Sequence, residues 1–249
     1  MSTNKRLERD IESTAASKLL VICVDRDDDV GRKAGITTPV VGRDSCINAA
    51  QRLALEDPED ADVFYVGYTA VKKYSFASGT GTDLGTPNGS GKCNELQVAE
   101  SDHDIMFAAK GSNLSKSING GYSWTSLTTS LGSINDIDIH PSNPDIVVVA
   151  TSGSSKVYLS LNGGTSWTGM KHNLPNISAN CVAIADGDSN AIYVGMYSGV
   201  YYINSSMTEW TDFQDNLPNV RVNELIISSV NNRIYAGTYR RGAWNAPTY

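Results

Sequence analysis

Aromatic residues are missing from the first 62 positions of this 249-residue chain, and all 4 Phe, 12 Tyr and 4 Trp lie beyond Asp62. A segment without large rings has little to fill a core of its own, so the sequence changes character there. Charge marks the same break, with 22 Lys, Arg, Asp and Glu in the first 62 residues against 25 in the remaining 187. Cysteine is scarce: Cys23, Cys46, Cys93 and Cys181 form no Cys-x-x-Cys pair, which speaks against a zinc ribbon or a dithiol redox centre. The only histidines, His103, His140 and His172, have no zinc-ligand spacing. No apolar run approaches the roughly 20 residues that span a bilayer, so no membrane insertion is expected. The Leu19–Val24 run is shorter than the apolar core of about 7 to 15 residues in a signal peptide. Gly79-Thr-Gly-Thr-Asp-Leu-Gly85 precedes no helix and lacks the lysine of a phosphate loop. A net charge of −7 and a pI near 4.9 argue against nucleic acid or an anionic membrane as partner.

What the chain does contain is a period. Trp124, Trp167 and Trp210 stand 43 residues apart, and the first two close near-identical turns, Ser117-Ile-Asn-Gly-Gly-Tyr-Ser-Trp124 and Ser160-Leu-Asn-Gly-Gly-Thr-Ser-Trp167. Leu174-Pro-Asn176 recurs as Leu217-Pro-Asn219. Asn94, Asn135, Asn180 and Asn223 each open an alternating run, followed by a polar turn and then a continuous apolar run such as Asp145-Ile-Val-Val-Val149. Alternation followed by a fully apolar stretch reads as a half-buried strand beside a more buried one. A repeat of about 40 to 45 residues built this way predicts propeller blades, each a four-stranded sheet. An earlier partial copy sits at Val63–Gly67. The reading is mainly β: a propeller, or an open part of one, of about four blades with a ragged first one over residues 63–249.

The two octapeptide turns resemble the Asp-box, also called the bacterial neuraminidase repeat, with Asn119 and Asn162 in place of its Asp. In that family the box lies on the turn between the third and fourth strands of a blade, so the resemblance implies a structural role for Ser117, Asn119, Gly121, Trp124, Ser160, Asn162, Gly164 and Trp167. A third copy keeps only Trp210. Physically, the short polar side chain can bond backbone N–H groups across the hairpin, and the glycines accept positive φ. The stretch Ile234-Tyr-Ala-Gly-Thr-Tyr-Arg-Arg-Gly-Ala-Trp244 looks like the closing blade of secreted Asp-box propellers, with Arg240 where a Gly is usual. With so few residues after Trp244, the last blade is expected to lack its outer strand, leaving an open edge through which chains can oligomerise. The family resemblance implies export, whereas the charged start of the chain is not expected to act as a signal peptide.

Residues 1–62 read as a short truncated α/β segment. Leu19–Val24 is a strand, an acidic loop follows, and Cys46–Leu55 is a helix capped by Asp44 or Ser45. The stretch from Leu19 to Asp62, with Val-Asp-Arg-Asp-Asp-Asp-Val-Gly-Arg-Lys-Ala-Gly-Ile and Asp57-Pro-Glu-Asp-Ala-Asp62, closely resembles the N-terminus of an uncharacterised archaeal membrane-protein family. Its neighbour beyond Asp62 reads as a piece of different parentage, joined by fusion or rearrangement. Carboxylates at the carboxyl end of a parallel strand sit where α/β sheets bind ligands, so Asp25, Asp27, Asp28 and Asp29 are the metal candidates, for Mg²⁺. The plain alternative is a solvated acidic loop. No other cofactor is expected.

Sialidases, which share the Asp-box, hold their substrate with three arginines from separate blades. Beyond residue 62 the arginines are Arg221, Arg233, Arg240 and Arg241, all near the end of the chain, which argues against that arrangement. A two-carboxylate glycosidase has only candidates by residue type: Asp102, Asp104, Asp136, Asp138, Asp186 and Asp188, each also explained by turn chemistry. No catalytic residue is nominated. The expected function is non-catalytic recognition of a protein or a carbohydrate through the loop face of the propeller. The alternatives are a fragment of a glycoside hydrolase, sialidase-like or glucanase-like, and an assembly factor.

Overall fold

A computed structural model of the chain describes residues 54–249, apart from 76, 128, 129, 188, 189, 214–216 and 218. The predicted acidic metal loop at Asp25–Asp29 and most of the predicted α/β segment lie outside the described residues. The described residues are all-β, and their strands pair in chain order into five antiparallel sheets. The first is β1 (Ala54–Glu56), β2 (Val63–Gly67), β3 (Val71–Ser75) and β4 (Gly81–Asp83). The second is β5 (Glu95–Ala99), β6 (Asp102–Lys110), β7 (Asn113–Ile118) and β8 (Thr125–Leu127). The third is β9 (Ile134–Ile139), β10 (Val147–Thr151), β11 (Val157–Ser160) and β12 (Thr168–Gly169). The fourth is β13 (Ala179–Ile184), β14 (Ile192–Met196), β15 (Gly199–Ile203) and β16 (Thr211–Asp212). The fifth has three strands among the described residues, β17 (Val222–Ser228), β18 (Arg233–Thr238) and β19 (Gly242–Pro247).

The four Asn-led repeats are sheets two to five, and the partial copy at Val63 is a complete sheet. Its inner strand lies upstream of the point where the sequence changes character. Ala54 and Leu55 close the predicted helix but are strand here, paired with Val66 and Tyr65. Pairing and the burial of Leu55 beside Tyr65 override local helix preference. The Asp57–Asp62 motif is therefore the β1–β2 turn.

Sheets pack only on their chain neighbours: β5 lies on β9, β9 on β13 and β13 on β17, and no packed pair joins the fifth sheet to the first among the described residues. Alternation decides which face meets which neighbour. In sheet four Val182, Ile184 and Val194 face the third sheet, while Ala183, Tyr193 and Tyr202 face the fifth. Inner sheets are thus covered on both faces, and β5, β10, β13 and β14 are buried along their whole length. Each large side chain between sheets, such as Phe107 or Tyr193, contributes about 2–3 kcal/mol through apolar burial.

Polar ties add direction to this stack. Asn94 Nδ2 donates to Ile134 O at 2.6 Å, Asn135 Nδ2 to Ala179 O at 2.7 Å, and Asn180 Nδ2 to Val222 O at 2.9 Å. Each bond joins one inner strand to the start of the next. Asp136 and Asp138 repeat the device, accepting from the N–H groups of Val182 and Ile184 at 2.8 and 2.9 Å. Asn223, fourth in the series, has its Oδ1 buried without a hydrogen-bond partner.

The C-terminal hairpin carries one strained position. Arg240 has φ 61°, a left-handed conformation that costs a side chain about 1–2 kcal/mol. Arg240→Gly is expected to raise stability by about 0.5–1 kcal/mol, read as a higher urea midpoint. A lower midpoint would mean that contacts of the Arg240 side chain outweigh the strain.

Candidate functional site

In an up-and-down sheet the turns alternate between two ends. The turns after β2, β6, β10, β14 and β18 share one end with the connections that carry the chain to the next sheet, and we refer to this end as the crossover face. The remaining turns form the opposite face. Charge divides between them. Among the described residues, the crossover connections hold Lys92, Lys156, Lys171, Arg221, Arg240 and Arg241 and no Asp or Glu. Asp215 of the last crossover lies outside the described residues. Among the described residues the connections of the opposite face hold eight carboxylates, from Asp57 to Glu209, and no Lys or Arg. The negative net charge of the chain therefore conceals one basic end.

Three tyrosines occupy the same place in their sheets, directly after the second strand, and stand open to solvent on the crossover face. Tyr68 is 43% exposed, Tyr197 51% and Tyr239 49%. Each has a cation over its ring: Lys92 Nζ 4.5 Å from the Tyr68 centroid, the Arg221 guanidinium 4.6 Å from Tyr197 and that of Arg240 5.0 Å from Tyr239. Exposed rings are costly to hydrate, and a stacked cation orients them at an energy of about 0.5–1 kcal/mol per pair. None of these three cations pairs with a carboxylate among the described residues. The sequence reading missed these residues. Their signal was present, since Tyr68, Tyr197 and Tyr239 follow the apolar runs at the same place in the repeat.

Four of the carboxylates considered for glycoside hydrolysis, Asp102, Asp136, Asp138 and Asp186, are engaged elsewhere, and Asp104 is exposed on β6. Asp136 and Asp138 bind backbone of the next sheet, and Asp138 also accepts from Gln97 Nε2 at 2.9 Å. Asp102 accepts from the N–H of Asp104 at the start of β6 at 3.0 Å, and Asp186 from Ser142 Oγ at 2.7 Å. Asp188 lies outside the described residues. Arg221, Arg240 and Arg241 sit on the crossover face around the last two sheets, and Arg233 lies at the other end of β18. Among the described residues no three His, Cys, Asp or Glu side chains are grouped to hold a metal ion. Cys93 and Cys181 are buried and reduced, packed as small apolar groups.

The two octapeptide turns lie between third and fourth strands and are superimposable in their bonds. Ser117 Oγ accepts from the N–H of Gly121 at 2.9 Å, and Asn119 Oδ1 from the N–H of Ser123 at 2.9 Å. Ser160 and Asn162 do the same for Gly164 and Ser166 at 2.8 and 2.9 Å. Gly121 and Gly164 have φ 86° and 85°, and a Cβ on Gly164 would stand 2.7 Å from Leu127 of the preceding sheet. Only glycine allows that approach. Trp124, Trp167 and Trp210 each pack into the core shared with the preceding sheet.

The opposite face carries a buried polar cluster that the sequence did not connect. Asp57, its side chain fully buried, accepts from Tyr65 OH at 2.6 Å, from the N–H of Glu59 at 3.0 Å and from His103 Nδ1 at 3.0 Å. Burial alone would raise the Asp57 carboxyl, but the bonds from Tyr65, Glu59 and His103 hold it below its ordinary value. Burial likewise opposes protonation of His103, and the bond to Asp57 with the charges of Asp57, Glu59 and Asp104 lifts it above its ordinary value. The Tyr65 phenol is pushed up by burial and then by Asp57. Its oxygen is committed to Asp57, so the cluster ties sheets one and two together and offers no free nucleophile.

A pH dependence follows. A histidine with a raised folded pKa adds stability that is complete below its unfolded value and is lost as pH rises through the folded value. Asp57, held low, adds stability above its unfolded value and loses it as pH falls through the folded one. The pair therefore stabilises most between about pH 4 and 6.5. The melting temperature is expected to fall from about pH 6 to pH 8, and His103→Asn to flatten that slope. The loss is under about 1 kcal/mol, because His103 is a third exposed and solvent screens it. A parent profile that rises over this range would exclude the pairing.

Comparison with known proteins divides the chain. A family described as a domain of unknown function (DUF373) matches residues 18–84. An uncharacterized protein of Archaeoglobus fulgidus is 51% identical over 67 residues, 27% of this chain and 19% of its own length. Another, from Methanocaldococcus jannaschii, is 41% identical over 103 residues, 39% of this chain and 28% of its own. The chain thus spans less than a third of these relatives. The matches agree with the N-terminal resemblance and carry it beyond Asp62 to the end of the first sheet. Among solved structures, an ancestral GH74 enzyme aligns with a TM-score of 0.55 at 21% identity, covering 73% of this chain and 26% of that one. A GH74 enzyme of Niastella koreensis gives 0.58 at 20% identity, covering 73% and 32%. The GH74 xyloglucanase from Xanthomonas campestris gives 0.59 at 12%, covering 74% and 33%. At these identities the likeness is one of fold, and the fold is that of a β-propeller.

Proposed function

We propose that the chain is a non-catalytic recognition module, which binds a glycan or protein ligand on the crossover face of an open set of propeller blades. The observation that carries this reading is the set of three exposed, cation-stacked tyrosines on a face whose described connections hold no carboxylate. General acid–base hydrolysis of a glycoside needs two carboxyl groups about 5–9.5 Å apart across the bond, and Asp102, Asp136, Asp138 and Asp186 are engaged in local bonds and inter-sheet ties. Aromatic side chains with one open face suit recognition, because they give large contact area at little entropic cost. The turns at Ser117–Trp124 and Ser160–Trp167 are proposed to be Asp-box variants with Asn in the acidic position; their repeated bond pattern and their place between third and fourth strands support this.

The reading is tested by immobilised neutral and acidic glycans and by hydrolysis of glucan and sialoside reporters with the same preparation. Retention that falls at least tenfold in Tyr197→Ala, with no hydrolysis above buffer, is the expected result. Turnover of a reporter would replace recognition by catalysis, in line with the glycoside hydrolases that share the fold.

A further inference from the structure

Resting on the recognition reading, we infer that the ligand of the crossover face is an acidic glycan bearing carboxylates, that is, a uronide rather than a neutral sugar. The argument begins with repetition. At three places the face offers the same two-part unit, an open tyrosine ring and a cation stacked on it. A pyranose presents C–H groups to an aromatic face, and a uronic acid adds a carboxylate at the ring edge. Ring and cation together match that pair of features, whereas a neutral sugar would leave the cation unused.

The cations are also unspent within the chain. Lys92, Lys171, Arg240 and Arg241 are exposed, and none pairs with a carboxylate among the described residues. Arg221 is half-buried beside Tyr197, and its Nε has no hydrogen-bond partner. A guanidinium held there can take a carboxylate through two parallel N–H donors. With no acid among the described crossover connections, this end attracts anions while the opposite face repels them, so an acidic chain is oriented toward the tyrosines.

Two other polyanions fit less well. Duplex nucleic acid carries a charge about every 1.7 Å, and a chain of net charge −7 with one acidic end works against so dense a partner. An acidic peptide supplies carboxylates but few rigid C–H faces for three separate rings.

The test is isothermal titration of the full chain with oligogalacturonate, with a neutral xyloglucan oligosaccharide and a single-stranded DNA of equal charge in parallel. Expected are binding of the uronide that weakens as salt is raised, a loss of at least tenfold in Arg221→Ala, partial recovery in Arg221→Lys, and no change in Arg233→Ala, which removes a cation from the opposite end of the fifth sheet. Equal binding of the neutral oligosaccharide, unaffected by Arg221→Ala, would overturn the acidic ligand and leave glycan recognition standing. Tighter binding of the DNA would overturn it in favour of another polyanion. Absence of heat with all three would overturn it outright, and the reporter assays then decide whether the recognition reading falls too.

Discussion

Trp210→Ala is expected to cost about 4 kcal/mol, within the range of about 3–5 for removing a buried indole. Trp210 is 3% exposed and closes the core between the third and fourth sheets. Its Nε1–H donates to Met170 O at 2.7 Å, and its backbone exchanges bonds with Asn173 at 2.8 and 2.9 Å. Truncation opens a cavity and strands a carbonyl together. For a chain of this size the melting temperature should drop by roughly 8–16 °C. Because the described sheets pack on their chain neighbours, hydrogen exchange should quicken first in β13 to β16 and later elsewhere. Trp124 and Trp167 make an informative contrast. Both are only half-buried, and their Nε1 atoms have no hydrogen-bond partner. Trp167→Phe should therefore be nearly neutral, while Trp210→Phe still loses about 1–2 kcal/mol with its bond. Equal losses in the two Phe variants would show that indole hydrogen bonding does not set them apart.

Asp57→Ala should destabilise by a similar amount, about 3–5 kcal/mol, although it removes few atoms. The change leaves Tyr65, 1% exposed, with a buried hydroxyl and no acceptor, and it frees His103 from its bond. Adding Tyr65→Phe should recover about 1–2 kcal/mol, since the orphaned donor is then gone. The pair of measurements is made by urea unfolding at about pH 6, where the cluster is at its strongest. An Asp57→Ala variant within about 1 kcal/mol of the parent would mean that water replaces the carboxylate and that the cluster does not hold the first two sheets together.

The blades were legible because their turns are chemically demanding. A Gly at φ 86°, a serine and an asparagine that fold back on the backbone, and a tryptophan that must find a neighbour leave few sequence alternatives, so they recur visibly. The first sheet was harder to read. Ala54–Glu56 has no periodic signal of its own, and only its pairing with Phe64–Val66 makes it a strand. The Asp57 cluster was illegible for another reason: His103 lies 46 positions away in sequence, and no local pattern announces that they meet. The crossover face lay between these cases. Its residues are plain in the chain, but their common side emerges only once strand direction is known, when Lys92, Arg221 and Arg240 prove to share one end while Asp57, Asp145 and Glu209 share the other.

The asparagine ties give the array a polarity of the kind found in a growing filament. The second, third and fourth sheets each hand a side-chain donor forward, from Asn94, Asn135 and Asn180, to the strand that follows. The described ties run in one sense along the chain, and the next asparagine of the series, Asn223, keeps a buried Oδ1 with no hydrogen-bond partner.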